Sequence, residues 1–288
     1  MRIPTACSAA VLAAALVVVG APAGSAVAYD DSRSVIAETR AGKQDVRFAT
    51  YNASLNRAAA GDLVRDLSTP ANTQARAIAE VIQINRPDVV LLNEFDYVAG
   101  GRAADLFSQN YLRVGQNGKA PVDYPYVYTA PSNTGVPSGF DLNNDGRVGG
   151  AGGLDRGERF VVMGDQNSDP LDGDSRLGSI DQLLGNKLIQ DPLPSSNGAV
   201  EASALQGGAN AMHRGDPRFD TADFEDRDAG NIRADYVLPS RTLKVAAAGV
   251  FWPRAGSPGA ELTGIFPFPT SDHRLVFVDV TLSGGKLR

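Results

Sequence analysis

The sequence is almost free of cysteine, and it has neither a run of basic residues nor an internal repeat. Its single cysteine, Cys7, cannot form an intramolecular disulfide. The net charge is −6, and an acidic chain without a basic run is poorly suited to a tight, nonspecific hold on a nucleic-acid backbone. A nuclease is still compatible with this charge, because a local groove can be positive on an acidic protein. With no repeat and no long linker, the chain is expected to form a single domain.

Long apolar runs are also missing, apart from one short run near the N-terminus. Arg2 precedes the apolar residues 9–20, and Ala26-Val27-Ala28 then reads as a cleavage site made of small residues. A run of this length is too short to span a bilayer. We therefore expect residues 1–28 to be a secretion signal peptide and the product to be secreted, without a stable membrane anchor. A retained N-terminal anchor is the alternative interpretation.

The rest of the chain is long enough for one large α/β domain with a sizeable core. Residues 29–45 are polar and are expected to be a flexible lead, followed by a domain over 46–288. VRFATYN (46–52) and the apolar DVVLL (88–92) read as buried strands. Between them, residues 72–86 place apolar side chains at the spacing of an amphipathic helix. The strand, helix, strand order indicates a sheet that is covered by helices.

The second half of the chain contains further strand-like runs separated by polar segments. Strands are predicted in ERFVVMGD (158–165), RADYVLPS (233–240), TLKVAAAGVFW (242–252) and HRLVFVDVTL (273–282). Helices are predicted within 101–114 and near 177–185, and a surface loop is predicted over 190–230.

Short polar clusters stand at one end of five of these strand-like runs. They are Tyr51-Asn52, Asn93-Glu94, Gly164-Asp165-Gln166-Asn167, Arg233-Ala234-Asp235 and Ser271-Asp272-His273. If the five strands deliver these side chains to one edge of the fold, the edge would hold ligands for a hard cation together with a general base. Such a set is what an active site for phosphate-ester hydrolysis requires.

Each of these clusters also has an ordinary structural interpretation. Glu94 could cap a helix or face solvent, and the segment after Asp165 would suit an Asx-turn. A lone histidine such as His273 is often a satisfied surface or core residue. Its neighbour Asp272 and the strand that follows favour a catalytic role, with Asp235 as a candidate for the carboxylate that orients the ring.

The segment DLNNDGRVGGAG (141–152) matches the first half of a calcium-binding loop. Asp141, Asn143 and Asp145 have the spacing of calcium ligands, and a glycine stands at the sixth position. The twelfth position holds Gly152, where such a loop needs a bidentate glutamate. A separate Ca²⁺ site and a plain Asx-rich turn therefore both stay open, and the turn is favoured.

Taken in order, the five clusters resemble the motifs of the endonuclease/exonuclease/phosphatase superfamily. This superfamily comprises metal-dependent phosphoesterases, including DNase I-like nucleases, neutral sphingomyelinases and inositol phosphatases. The matching segments are ATYNASL, VVLLNEF, VVMGDQNSDP, IRADYVLPS and PTSDHRLVFVDV. The resemblance implies a four-layer α/β sandwich, in which two packed mixed sheets are flanked by helices and the site lies at one end.

The resemblance also implies a role for each matching residue. Glu94 is then the principal ligand of Mg²⁺ or Mn²⁺, with Asn52 beside it. The implied catalytic residues are Asp165, Asn167, Asp235, Asp272 and His273. Of these, Asp165 positions and deprotonates the attacking water and Asn167 holds the scissile phosphate. His273 is oriented by Asp235 and donates to a phosphate oxygen, while Asp272 assists the metal or the water.

One part of the family pattern is missing from the middle of this chain. Between the counterparts of Glu94 and Asp165, the family normally has further strands, one of them GxxxLSR-like. Its secreted nuclease branch also has a second histidine there that contacts the phosphate. Here only 70 residues intervene, without a histidine. The sandwich is therefore expected to lack some strands of the family fold.

These observations predict a secreted, monomeric phosphoesterase that uses a divalent metal and acts on a phosphate ester, with nucleic acid as one candidate substrate. A phosphodiesterase or nuclease is the leading interpretation. The alternative is a catalytically weak or inactive relative that acts as a secreted binding protein. A lipid phosphodiesterase would need exposed apolar loops, for which Phe266-Pro267-Phe268-Pro269 is the candidate.

Overall fold

The computed structural model describes residues 14–15, 45–131, 159–176 and 178–282. Its strands are β1 (Ala14–Ala15), β2 (Asp45–Leu55), β3 (Val89–Phe95), β4 (Val161–Asp165), β5 (Ala222–Asp223), β6 (Asn231–Ile232), β7 (Asp235–Pro239), β8 (Lys244–Val250) and β9 (Val276–Thr281). Its α-helices are α1 (Asp62–Leu67), α2 (Thr73–Asn85), α3 (Arg102–Phe107), α4 (Asp181–Leu184), α5 (Asn197–Gln206) and α6 (Ala260–Thr263).

Shorter helical turns complete the described elements. They are the 3₁₀ turns Ala99–Gly101, Gly208–Met212 and Pro217–Phe219, and a π-helical turn, Ser108–Leu112, that extends α3. None of the helices in the described ranges is long and apolar enough to cross a membrane. The predicted calcium loop lies outside the described residues, as do the predicted signal segment (except β1) and residues 29–44.

One sheet contains four strands in the order β3-β2-β9-β8. Strand β2 pairs in parallel with β3 and antiparallel with β9, so the sheet is mixed. Asn52 lies opposite Asn93 in the parallel pair, and Thr50 lies opposite Val276 in the antiparallel pair. The carboxyl ends of β2 and β3 therefore lie at the same edge as the beginning of β9.

A second sheet has the order β1-β4-β7, with antiparallel pairing throughout. Its last pair in the β4–β7 ladder joins Asp165 to Asp235, so both carboxylates start from the same end of this sheet. The two-residue strands β5 and β6 form a separate small ribbon.

Helix α2 forms where the apolar spacing predicts it. Asn72 caps its first turn by accepting a hydrogen bond from the backbone N–H of Ala75. Arg86, in the left-handed conformation at φ 46°, ends the helix directly before Pro87. Its buried face includes Ala75, Ile78, Ala79 and Ile82, which pack on one face of the four-stranded sheet.

The alternation of side chains along β2 separates two apolar layers. Tyr51 and Leu55 point to the side that α1, α2 and α3 cover, whereas Phe48 points to the side that faces the second sheet. Between the sheets Phe48 shares a cluster with residues of β4, β7 and β9. One apolar layer therefore lies between the helices and the four-stranded sheet, and a second lies between the two sheets.

The outer face of the second sheet is covered as well. Val162 of β4 and Leu238 of β7 pack there with Ile180 and Ile189, which flank α4. The layers therefore follow one another as helices, sheet, sheet and helix with loop. This confirms the predicted four-layer α/β sandwich.

The prediction of a surface loop over 190–230 is wrong in part, because α5 lies within it. Ser196 caps this helix by accepting from the backbone N–H of Gly198. Gly198 lies so close to the backbone of Trp252 and Pro253 that a Cβ would collide with it. The position of α5 therefore depends on its packing against the Trp252–Pro253 backbone. The small residues of the helix give no clear amphipathic pattern in the sequence.

The described residues agree with the expectation that strands of the family fold are missing from the middle of the chain. Within 96–131 and 159–160 the structure has α3 and short helical turns but no strand. Residues 132–158 lie outside the description. In the described part of the chain, the second sheet contains only β1, β4 and β7.

Candidate active site

The two sheets meet in a polar cluster at one end of the sandwich. The side-chain N–H of Asn52, from β2, donates to Asp165 Oδ2, at the end of β4, with an N···O distance of 3.1 Å. Asn52 is fully buried and Asp165 is 7% exposed. Two of the five predicted polar clusters, one from each sheet, are therefore in direct contact.

Asp165 is further held by the residues that follow it. The backbone N–H of Asn167 donates to Asp165 Oδ1 at 2.8 Å, and its side chain donates to Oδ2 at 3.1 Å. Asn167 has φ 44°, in the left-handed region that non-glycine residues seldom adopt. The Asx-turn that the sequence suggests is therefore present, and it serves to aim the Asp165 carboxylate.

The environment of Asp165 makes it a weaker acid than usual. Burial is the main cause, the nearby Asp235 carboxylate adds to it, and together they raise the pKa of Asp165 to about 6. His273 and the hydrogen bonds from Asn167 and Asn52 act in the opposite direction. A carboxylate with a pKa near neutrality is well matched to accepting a proton from water.

His273 and Asp235 form a buried pair beside Asp165. The distance between His273 Nδ1 and Asp235 Oδ2 is 2.8 Å, and His273 Nε2 lies 3.9 Å from Asp165 Oδ2. His273 and Asp235 are 3% and 1% exposed. The ring of Phe224 packs edge-on against the imidazole, with 5.2 Å between centroids. The imidazole is thus fixed between two carboxylates, one at each nitrogen.

The charge state of His273 follows from this arrangement. Burial by itself lowers the pKa of His273, but the charge of Asp235 and its hydrogen bond outweigh that effect. With Asp165 and Asp272 also contributing, they raise the pKa to about 9. The ring therefore carries a proton on both nitrogens at neutral pH, with Nδ1 donating to Asp235 and Nε2 directed toward Asp165.

Asp272 lies at the same end of the sandwich, next to Ser54. The Ser54 hydroxyl contacts Ser271 Oγ at 3.0 Å and Asp272 Oδ1 at 3.5 Å. The backbone N–H of Ser54 donates to Asn52 Oδ1 at 3.1 Å. Ser54 has φ 46°. Ser54 thus links Asn52 to the Ser-Asp-His segment.

Glu94 is at the same sheet edge but is more open to solvent. It directly follows Asn93, the residue that lies opposite Asn52 in the parallel pair. Glu94 is exposed, has φ 51°, and accepts a hydrogen bond of 3.3 Å from the Asn56 side chain. Its carboxylate is therefore accessible, and its backbone is held in a conformation that a glutamate does not normally prefer.

The donor atoms at this edge fit a hard divalent cation. The Glu94 carboxylate and the Asn52 side-chain carbonyl are oxygen ligands, which Mg²⁺ and Mn²⁺ prefer. Among the described residues, Asp165, Asp235 and His273 also place three ligand atoms within 4.8 Å of one another. This edge therefore offers two candidate groups of ligands, Glu94 with Asn52 and the Asp165–Asp235–His273 group.

Three residues of the site have no counterpart among the polar clusters of the sequence. Thr221 and Phe224 contact the Asp235–His273 pair from a stretch that reads as loop. Arg274 is buried, pairs with Asp223 at 2.9 Å, and lies over the Trp252 ring. The position of Arg274 directly after His273 is the one sequence signal that could have drawn attention to it.

A comparison with known protein families agrees with the arrangement of motifs. The profile of the Endonuclease/Exonuclease/phosphatase family matches residues 49–273. A solved structure titled endonuclease/exonuclease/phosphatase, from Beutenbergia cavernae DSM 12333, is 18% identical, with a TM-score of 0.42. The alignment covers 84% of this chain and 72% of that chain. No curated protein was found to match the chain.

Proposed function

The chain belongs to the endonuclease/exonuclease/phosphatase family, and from that premise we propose that it is a secreted phosphodiesterase that depends on a divalent metal. The observation that carries this proposal is the placement of Asp165 beside His273, which Asp235 holds through Nδ1. The distance between Asp165 Oδ2 and His273 Nε2 is 3.9 Å. A proton acceptor and a fixed positive charge side by side are what water attack on a phosphate diester requires.

Asp165 is the proposed general base. Its Oδ2 accepts from two side-chain amides, Asn52 and Asn167, and its Oδ1 accepts from the Asn167 backbone. These three bonds fix the direction of the carboxylate, so that a water bound to it would be held in one place. The pKa of about 6 leaves the group ionised at neutral pH and able to take the proton of that water.

His273 is the proposed charge-stabilising group. Asp235 holds it through Nδ1, so the Nε2–H can donate to a phosphate oxygen as negative charge develops there. Because both residues are almost fully buried, the ring does not have to reorganise during the reaction. Preorganised donors of this kind contribute a large part of catalysis in enzymes that stabilise oxyanions.

Asn167 is the proposed contact to the scissile phosphate. Its side chain is half-buried and donates one hydrogen bond to Asp165. An amide nitrogen carries two N–H donors, so a second donor is left for a phosphate oxygen. Asp272 is close to Ser54 and Ser271, from where it can orient water at the same edge.

A divalent cation at this edge would be held by Glu94 and Asn52. Bound there, it would polarise a phosphoryl oxygen and neutralise negative charge. We propose Mg²⁺ or Mn²⁺ for this role.

A secreted binding protein is the competing function. It is favoured by the shortened middle of the chain, because a family member that lacks strands could have lost the groups that hold the substrate. Against it stand the hydrogen bonds that fix Asp165 and His273, which a pure binding protein would not need.

The deciding experiment is turnover of bis-p-nitrophenyl phosphate and of plasmid DNA by the purified mature protein, with Mg²⁺ or with EDTA. Asp165→Asn is the test variant, and Asp105→Asn is the matched control, since Asp105 is an exposed carboxylate of α3. We expect turnover that EDTA and Asp165→Asn abolish and that Asp105→Asn does not alter. A folded protein without turnover on either substrate would favour the binding function instead.

A further inference from the structure

Thr221 joins the two chain segments that carry Asp235 and His273. Its backbone N–H donates to Ile232 O at 2.9 Å, and its carbonyl accepts from the backbone N–H of Arg274 at 2.7 Å. The residue is 1% exposed. Thr221 therefore lies between the segment leading to β7 and the segment leading to β9, and it is bonded to both.

The Thr221 hydroxyl has one possible direction for its proton. Its oxygen accepts from the backbone N–H groups of Ala234 and Asp235, each at 2.9 Å. A hydroxyl has two acceptor lone pairs and one donor, so these two bonds use its accepting capacity. The remaining contact is with Asp235 Oδ2 at 2.9 Å, and in it the hydroxyl must be the donor.

The same oxygen of Asp235 also binds the catalytic histidine. His273 Nδ1 is 2.8 Å from Asp235 Oδ2. The other oxygen, Oδ1, is buried and has no hydrogen-bond partner among the described residues. The rotation of the Asp235 carboxylate is therefore set by two bonds to one oxygen, one from Thr221 and one from His273.

We propose that Thr221 is a positioning residue that aligns the Asp235 carboxylate with His273 Nδ1. The role rests on the proposed function, because it matters to the reaction only if His273 acts on a phosphate. Without the hydroxyl, the Asp235 carboxylate could rotate about its side-chain bonds. Oδ2 would then no longer be held at His273 Nδ1, and the imidazole would lose its fixed partner. The effect reaches the substrate through His273, so it should lower turnover and leave substrate binding little changed.

The test compares Thr221→Val with Thr221→Ser. Valine keeps the shape and removes the hydroxyl, whereas serine keeps the hydroxyl. We expect Thr221→Val to lower kcat by about tenfold or more, as for other hydrogen bonds to a charged group. KM should change little, and Thr221→Ser should recover most of the lost kcat.

Histidine NMR gives a second measurement that does not depend on turnover. The chain has two histidines, His213 and His273, so His213 is an internal reference. In Thr221→Val the Nδ1–H resonance of His273 should shift or vanish. In Thr221→Ser the same His273 resonance should stay near its wild-type position. A well-folded Thr221→Val with an unchanged Nδ1–H resonance and unchanged kcat would overturn the proposal.

Two further outcomes separate this inference from the proposed function. If the wild type shows no turnover, the proposed function fails, and the NMR comparison still decides whether Thr221 aligns the pair. If Thr221→Val does not fold, Thr221→Ala takes its place in a double-mutant cycle with Asp235→Asn. Because Thr221 acts through Asp235, removing its hydroxyl should then have little further effect on kcat in the Asp235→Asn background. Full additivity would overturn the proposal.

Discussion

Asp165 and His273 belong to different structural layers and yet approach each other to 3.9 Å between Oδ2 and Nε2. Asp165 ends β4 of one sheet, whereas His273 shortly precedes the last strand of the other. Neither sheet alone would form this pair, and it exists only because the two sheets pack face to face. The pair therefore joins the formation of the core to the formation of the proposed active site.

The pH dependence of catalysis should follow from this pair. Asp165 must be ionised to accept a proton, so kcat/KM should rise with pH through its pKa of about 6. His273 must be protonated to donate, so kcat/KM should fall as pH rises through its pKa of about 9. The expected profile is a bell with a plateau between these values.

Steady-state kinetics would check the profile. The measurements would be made at saturating metal and constant ionic strength, over a pH range that extends about one unit beyond each pKa. A bound cation near Asp165 would lower the pKa of both groups, which lie 3.9 Å apart, and so would move both limbs to lower pH. A rate that goes on rising through the pKa of His273 would contradict a role for the protonated ring.

Removing the imidazole should impair turnover much more than folding. We expect His273→Ala to lower kcat by roughly 10²-fold or more, because a preorganised donor to the developing charge is lost. His213→Ala is the matched control, since His213 lies half-buried at the end of the Gly208–Met212 turn and is not among the residues proposed for the site. Circular dichroism of both variants would confirm the fold, and equal kcat in the two variants would exclude the proposed role.

The backbone of Glu94 gives a test of metal binding that is independent of turnover. With φ 51°, a non-glycine residue here is strained by roughly 1–2 kcal/mol. Both Glu94→Ala and Glu94→Gly remove the carboxylate, so both should weaken Mg²⁺ or Mn²⁺ binding measured by calorimetry. Only glycine relieves the strain, so Glu94→Gly should unfold at higher denaturant than Glu94→Ala.

The comparison of the two variants also tests whether the strained conformation of Glu94 serves metal binding. If Glu94 is held there to present its carboxylate to a metal, then loss of metal binding should accompany any gain in stability. Metal affinity that survives in both variants would show that Glu94 is not the principal ligand.

The elements that the sequence predicts well are those whose pattern is local. Residues 46–52 form a strand-like run, and 72–86 repeat apolar side chains at helical spacing, so β2 and α2 follow from the chain itself. The polar ends of these strands could also be predicted, because a carboxylate or amide after an apolar run is visible without the fold. The order of these motifs carried the family resemblance.

What could not be predicted depends on contacts between distant segments. Thr221 lies in a polar stretch, and its role follows from Asp235 and His273 lying on either side of it in space. Helix α5 is rich in small residues that fit against the backbone near Trp252, and this fit gives no periodic signal. The left-handed conformation of Glu94 likewise has no local signal, because a glutamate does not normally prefer it.

Arg274 should be essential for stability because of the charge that it compensates. It is buried, pairs with Asp223 at 2.9 Å, and lies 4.4 Å from the centre of the Trp252 ring. Burial raises the pKa of Asp223, while Arg274 lowers it. Arg274→Met would therefore leave a buried carboxylate without its partner, which typically costs about 3–5 kcal/mol in the free energy of unfolding.

The double variant Arg274→Met with Asp223→Asn separates lost charge pairing from lost packing. The amide introduced by Asp223→Asn would carry no charge and could keep a hydrogen bond with Gln206, which donates to Asp223 at 2.8 Å in the wild type. We therefore expect the double variant to regain part of the stability that Arg274→Met loses, as measured by urea unfolding. If the second change instead destabilises the protein further by its full single-variant amount, then Arg274 acts through its contacts with Trp252 and Phe268 and not through its charge.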